Sequence, residues 1–201
     1  MTDSTEPGPA RRPDPDGELM ARVRRGDQAA YRALYEKHLS AVARYAARFT
    51  GNAARADELA QDVFLQVYRA RERWEPRAKF TTWLYTIAHN LCLNEVRRFD
   101  YRGRFEPLET PDGEPVELAD ARALAGDARV SSVELEERLR ALLAELPETQ
   151  RTALLLSRVQ GLRYEEIGDV LGCTEQAVKS LIFRATRRLK EGLKEWIQDE
   201  R

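Results

Sequence analysis

The sequence predicts an all-α fold of two small helical domains, a helical bundle and a helix-turn-helix unit, joined by a flexible linker. Three observations carry this. Apolar residues recur at three- and four-residue steps across roughly 18–99 and 131–198. Between those segments the periodicity fails, and Gly103, Pro107, Pro111, Gly113, Pro115 and Gly126 crowd together. No stretch alternates apolar and polar residues long enough to build a sheet, and no internal repeat occurs. A chain of 201 residues suffices for one domain or two small ones.

Residues 1–17 hold Pro7, Pro9, Pro13, Pro15, Gly8 and Gly17, with no large apolar side chain after Met1, and are expected to form a disordered tail. Tyr31, Leu34, Tyr35, His38, Val42, Tyr45, Ala46 and Phe49 then line one face of a long helix, which Gly51 and Asn52 break. A second stripe, Leu59, Val63, Val67 and Ala70, is expected to run to about Trp74, with Pro76 ending the helix. The third helix spans about 81–99 and buries Trp83, Leu84, Ile87, Leu91 and Val96. Residues 100–130 form the linker, acid-rich beyond Arg104 through Glu106, Glu109, Asp112, Glu114, Glu117, Asp120 and Asp127. Helical spacing resumes in Leu135, Leu139, Leu142, Leu143 and Leu146, and Pro147 suits the start of the next helix.

The final segment carries the most local information. Tyr164, Ile167 and Leu171 form the apolar face of a short helix; Gly168 permits close helix approach, and Gly172 supplies a left-handed residue to end it. Thr174 caps the following helix, with Glu175 in its first turn. There Val178, Ile182, Ala185, Leu189 and Leu193 are spaced for burial, leaving Gln176, Lys179, Ser180, Phe183, Arg184 and Arg187 outward. An amide, a hydroxyl, cations and one aromatic on the second helix of a helix-turn-helix suit the major groove. Arg pairs with guanine, Gln with adenine, and Phe contacts a thymine methyl. Arg163 stands where a Ser or Thr cap is expected, and Glu165 and Glu166 partly offset that loss through the helix dipole.

Composition limits the function classes. The longest apolar runs fall far short of the ~20 residues of a membrane span, and no charged-then-apolar leader opens the chain, so no membrane insertion and a cytoplasmic location are expected. Net charge is −1, from 33 Lys+Arg and 34 Asp+Glu, so any nucleic-acid surface must be local. It is local in the last helix, where Lys179, Arg184, Arg187, Arg188 and Lys190 face Glu175 alone between residues 174 and 190. Cys92 and Cys173 cannot make a disulfide framework. His89 and Cys92 share a helical face, but two ligands are too few for a zinc site, and no metal or cofactor is expected. With only His38 and His89, no phosphate-binding loop and abundant acids that are not grouped in a catalytic pattern, enzyme chemistry is not expected.

Several motifs stand in a definite order. They are Arg25-Gly26-Asp27 before the first long helix, Asp57-Glu58-Leu59-Ala60-Gln61-Asp62-Val63-Phe64 in the second, and the run from Phe80-Thr81-Thr82-Trp83-Leu84 to Asn90. Leu146-Pro147 follows, and then Gly161-Leu162-Arg163-Tyr164-Glu165-Glu166-Ile167. On these residues the chain resembles an extracytoplasmic-function sigma factor of the sigma-70 family, over about 18–99 and 131–196.

The resemblance implies a bacterial transcription initiation factor that binds core RNA polymerase and promoter DNA. It implies that Glu58, Gln61, Asp62 and Leu65 dock on the clamp helices of the β′ subunit, with the last domain reaching the β flap. It places Trp74 as a stacking platform for a base flipped from the −10 element, Asn90 as its hydrogen-bond partner, and Lys79, Asn94, Arg97 and Arg98 on the nearby strand. Lys179, Ser180, Phe183 and Arg184, flanked by Gln176 and Arg187, would read the −35 element, with Leu181 replacing a basic residue frequent in the family. It also implies an anti-sigma factor as a regulating partner, and a linker that threads toward the RNA exit path. The alternative is a one-component helix-turn-helix regulator that binds operator DNA without polymerase.

Overall fold

A computed structural model describes residues 14–76, 78–102 and 132–199, apart from the side chains of 99–102, 132 and 199. Among the described residues the architecture is all-helical, with no strand. The N-terminal helices are α1 (Pro15–Arg24), α2 (Gln28–Thr50), α3 (Ala53–Arg69) and α4 (Phe80–Arg102), with a 3-10 turn at Arg71–Arg73. The C-terminal helices are α5 (Ser132–Glu145), α6 (Glu148–Arg158), α7 (Tyr164–Leu171) and α8 (Glu175–Asp199). The acidic linker expectation, including its path, lies outside the described residues, except that α4 continues through residues 100–102.

Capping side chains start the helices where the sequence changes character. Asp27 accepts from the Ala30 N–H at 3.0 Å and opens α2, which accounts for the Arg25-Gly26-Asp27 motif; Arg22 Nε donates back to Asp27 at 2.9 Å. Asn52 caps α3 through the Arg55 N–H at 3.1 Å. Thr174 accepts from the Ala177 N–H at 3.2 Å at the head of α8. The apolar stripes meet behind these caps: Leu34, Tyr45, Phe49, Phe64, Phe80 and Leu84 are fully enclosed, as are Leu155, Leu156 and Ile167 farther along the chain. Each such side chain contributes about 1.5–3 kcal/mol relative to exposure.

Three boundaries differ from expectation. Of the tail placed at 1–17, residues 1–13 lie outside the described residues, but Asp14 to Gly17 are built into the bundle. Pro15 occupies the first turn of α1, Asp16 is buried, and Asp14 Oδ2 accepts from the Phe80 N–H at 2.9 Å to cap α4. The second stripe ends at Arg69 rather than near Trp74, because the chain tightens into the 3-10 turn and then extends at Trp74 to carry its ring into the core. Helix α4 starts at Phe80 and runs to Arg102, longer at both ends than 81–99.

The C-terminal helices pack against α2 and α4. Tyr85 Oη donates to Gln160 Oε1 at 2.5 Å, and Gln160 Nε2 donates to the Ala41 carbonyl at 3.1 Å. Arg151 Nη1 donates to the Phe49 carbonyl at 2.8 Å while its guanidinium lies 4.9 Å from the centre of the Phe49 ring.

Candidate nucleic-acid interface

Helices α7 and α8 form the predicted helix-turn-helix. Gly172 sits at φ 66°, ψ 36° and ends α7 as the left-handed residue. A Cβ at Gly168 would lie 2.6 Å from the Cys173 carbonyl oxygen, so only glycine lets the turn approach α7 this closely. Arg163 makes no side-chain cap, but its backbone N–H donates to Glu166 Oε2 at 2.8 Å, so the acid supplies its half of a capping box while the half a Ser or Thr would supply is missing.

On α8, Val178, Ile182, Ala185, Leu189 and Leu193 are buried. Gln176, Lys179, Phe183, Arg184 and Arg187 are exposed and Ser180 is half-buried, so the six residues share the outward face. Phe183 is 67% exposed, an apolar ring left open by the described residues around it. Lys179 pairs with Glu175 at 2.7 Å and Ser180 Oγ donates to the Gln176 carbonyl at 3.1 Å. Leu181 is half-buried and packs against the core.

A second surface lies on α3. Glu58, Gln61, Asp62 and Leu65 follow one another at helical spacing and are all exposed, with Leu65 at 43%. Tyr68, 37% exposed and overlaid by the Arg71 guanidinium at 4.4 Å, extends this face; its position three residues after Leu65 is the signal that sequence reading passed over. Arg55 pairs with Glu58, approaches Asp62 at 4.0 Å and donates through Nε to the buried Glu95 at 3.1 Å. The acidic face of α3 is thereby fastened to α4.

The third surface is on α4 and the loop before it. Asn90, Asn94, Arg97 and Arg98 are exposed along one side of the helix, and Lys79 is half-buried at its start. Trp74 is a correction. It is 3% exposed, its ring belongs to the core, and its indole Nε1 is enclosed without a hydrogen-bond partner, so the ring presents no face on which a base can stack. The backbone is extended at Trp74, which carries the indole inward.

The two histidines are both structural. His38 Nε2 lies 2.9 Å from Asp16 Oδ2, and Lys37 Nζ lies 2.6 Å from Asp16 Oδ1. Burial alone would raise the Asp16 carboxyl, but the hydrogen bonds and charges of His38 and Lys37 outweigh it and hold the group below its ordinary value. His89 Nδ1 lies 3.4 Å from both Tyr45 Oη and Thr152 Oγ1, and burial lowers its pKa. Burial pushes the Cys92 thiol up to about 12. Among the described residues no group of three or more His, Cys, Asp or Glu is placed to hold a metal ion, and no helix is long and apolar enough to cross a membrane.

Comparison with known proteins decides the family. Residues 34–101 match the protein-family model Sigma-70 region 2, and residues 136–189 match Sigma-70, region 4. The chain belongs to the sigma-70 family. It is 33% identical to the RNA polymerase sigma-H factor of Pseudomonas aeruginosa, over 92% of this chain and 96% of that one. It is also 33% identical to the ECF RNA polymerase sigma-E factor of Escherichia coli K12, over 85% and 90% of the two chains, in keeping with the extracytoplasmic-function branch. Among solved structures it is similar to CnrH in complex with the cytosolic domain of CnrY, with a TM-score of 0.68, 26% identity, and coverage of 90% of this chain and 97% of that one. Both matched regions of this sigma factor coincide with the surfaces described above: α3 and α4 fall in the first, and the helix-turn-helix in the second.

Proposed function

We propose that this sigma factor is a noncatalytic transcription initiation factor that acts in the cytoplasm: it binds core RNA polymerase, leads it to specific promoters and holds the unpaired −10 strand. The division of labour follows the two helical groups. Residues 14–102 form the domain for polymerase docking and the −10 element, and residues 132–199 form the domain for the −35 element and the β flap. The polymerase itself supplies the nucleotide chemistry.

The observation that carries this reading is Leu65, an uncovered apolar side chain among Glu58, Gln61 and Asp62, in the same chain as a helix-turn-helix with an open reading face. An apolar centre with an acidic rim is what a basic coiled-coil partner, the β′ clamp helices, fits. A regulator acting without polymerase has no use for that face. Asn90 is assigned to the flipped −10 base, with Lys79, Asn94, Arg97 and Arg98 on the strand around it. Gln176, Lys179, Ser180, Phe183, Arg184 and Arg187 are assigned to the −35 duplex. As CnrH was solved with a bound protein segment, we assign this chain an anti-sigma factor as its regulating partner.

The test is run-off transcription from a pool of random promoter fragments by bacterial core polymerase, with and without the protein. Protein-dependent transcripts sharing two spaced elements are expected, and both Asn90→Ala and Arg184→Ala should weaken them. Duplex binding by the protein alone, with no transcripts, would instead establish the one-component regulator.

A further inference from the structure

Helix α3 presents more on its outward side than the four residues assigned to the clamp helices. Helical spacing puts Arg69 on the same stripe as Glu58, Asp62 and Leu65, and Tyr68 on the edge nearest α2; both are exposed. The face therefore changes sign along its length, from carboxylates at Glu58 and Asp62, through apolar surface at Leu65 and Tyr68, to a cation at Arg69, the last residue of α3. Glu58 and Arg69 stand roughly 16 Å apart along the axis, about three turns. At the acidic end Arg55 pairs with Glu58 but also turns inward to Glu95, and Glu58 and Asp62 remain exposed.

Two neighbours hold the Tyr68 ring. Tyr31 of α2 meets it edge-on, with ring centres 5.1 Å apart and planes at 67°, and the Arg71 guanidinium covers it at 4.4 Å while Nη1 donates to the Tyr68 carbonyl at 2.9 Å. Tyr31 is itself anchored, its Oη donating to the Phe64 carbonyl of α3 at 3.0 Å. Burial, with Tyr35 and Tyr68 close by, raises that hydroxyl above its ordinary value, so it keeps its proton and the bond. A ring held before binding has little rotamer freedom left to lose, which makes it an effective anchor. Arg71 also meets the exposed Glu72 at 3.4 Å, a pair that water screens, so Arg69 sets the charge of this end.

We propose that the polymerase-docking face runs from Glu58 to Arg69, with Tyr68 as an aromatic anchor positioned by Tyr31 and Arg69 as a cationic end, and that this acid-to-base order fixes which way round the β′ clamp helices lie. The occupant is a coiled coil that offers cations to Glu58 and Asp62 and, roughly 16 Å farther on, a carboxylate to Arg69. Turned the other way, the same partner would set like charges against each other at both ends, so one direction is excluded as well as the other favoured. This rests on the assignment of Glu58, Gln61, Asp62 and Leu65 to the clamp helices.

The test is displacement of the fluorescently labelled wild-type chain from bacterial core polymerase by unlabelled full-length variants, each first shown to be folded by circular dichroism. The decisive change is Arg69→Glu, because its sign is informative. A face that needed only acid for a basic partner would bind more tightly with one more carboxylate, whereas a face with a required cationic end should bind about three- to tenfold more weakly, with Arg69→Gln between. Tyr31→Phe, which removes only the hydroxyl, should weaken binding about threefold, and should have no further effect in a Tyr68→Ala background. Tighter or unchanged binding by Arg69→Glu would overturn the directional face, and an equal Tyr31→Phe effect in both backgrounds would overturn its positioning of Tyr68. Leu65→Ala and Asp62→Lys, measured alongside, should also weaken binding. Unchanged binding by those two would instead overturn the assignment of α3 to the clamp helices, so the two failures are told apart.

Discussion

Arg55 Nε donates to the buried carboxylate of Glu95 at 3.1 Å, joining the helix that carries Leu65 to the helix that carries Asn90. Glu95 also receives Arg98 at 3.4 Å, but Arg98 stands mostly in solvent, so Arg55 is its principal partner within the fold. The exposed faces of α3 and α4 are therefore joined by a buried ion pair through the Arg55 guanidinium, in addition to the apolar packing between the two helices.

Removing that guanidinium should cost more than an ordinary surface pair. Arg55→Ala leaves Glu95 buried against an incomplete partner set, and a loss of about 1–3 kcal/mol is expected, less than for a fully enclosed pair because Arg55 is itself partly solvated. Glu95→Gln, which keeps an acceptor and removes the charge, should cost less. Urea unfolding of the full chain followed by circular dichroism measures both, and equal losses would show that charge is not what joins α3 to α4.

Asp16 makes stability depend on pH in a predictable direction. Its carboxyl is held below the ordinary value of 3.8 by His38 and Lys37 despite burial, so the folded state favours the ionised form. The stability this supplies is complete above about pH 4, the unfolded value, and is lost as pH falls through the lowered folded value. Thermal melts of wild type and Asp16→Asn between pH 2.5 and 7 should show a wild-type advantage that is constant near neutrality and shrinks in acid. An advantage that grew on acidification would contradict the assignment.

Two phenylalanines should separate reading from packing. Phe183 is 67% exposed and Phe80 is fully enclosed. Phe183→Ala is expected to leave the melting temperature within a degree or two, while lowering binding to a −35-containing duplex by about fivefold. Phe80→Ala should cost about 3–5 kcal/mol. Melting and fluorescence anisotropy on the same preparations check the pair, and a Phe183 variant that binds normally would remove that ring from the reading face.

What was legible in the sequence was whatever depends on near neighbours. The helical stripes, the left-handed Gly172, the Thr174 cap and the outward face of α8 all follow from residues within a turn or two of one another, because the 3.6-residue period and cap chemistry are short-range. The family motifs lie on those same local elements. The sequence by itself thus determined the fold class, the helix-turn-helix and the exposed faces of α3 and α8. Only the tertiary structure decided that Asp14 caps a helix 66 positions away, that Trp74 is spent in the core, that Arg55 joins Glu95 across 40 residues, and that Gln160 reaches Ala41 across 119. These pairings have no period to announce them. A charged side chain looks alike in sequence whether solvated or paired, and its partner is set only once packing of the apolar stripes has brought distant helices together.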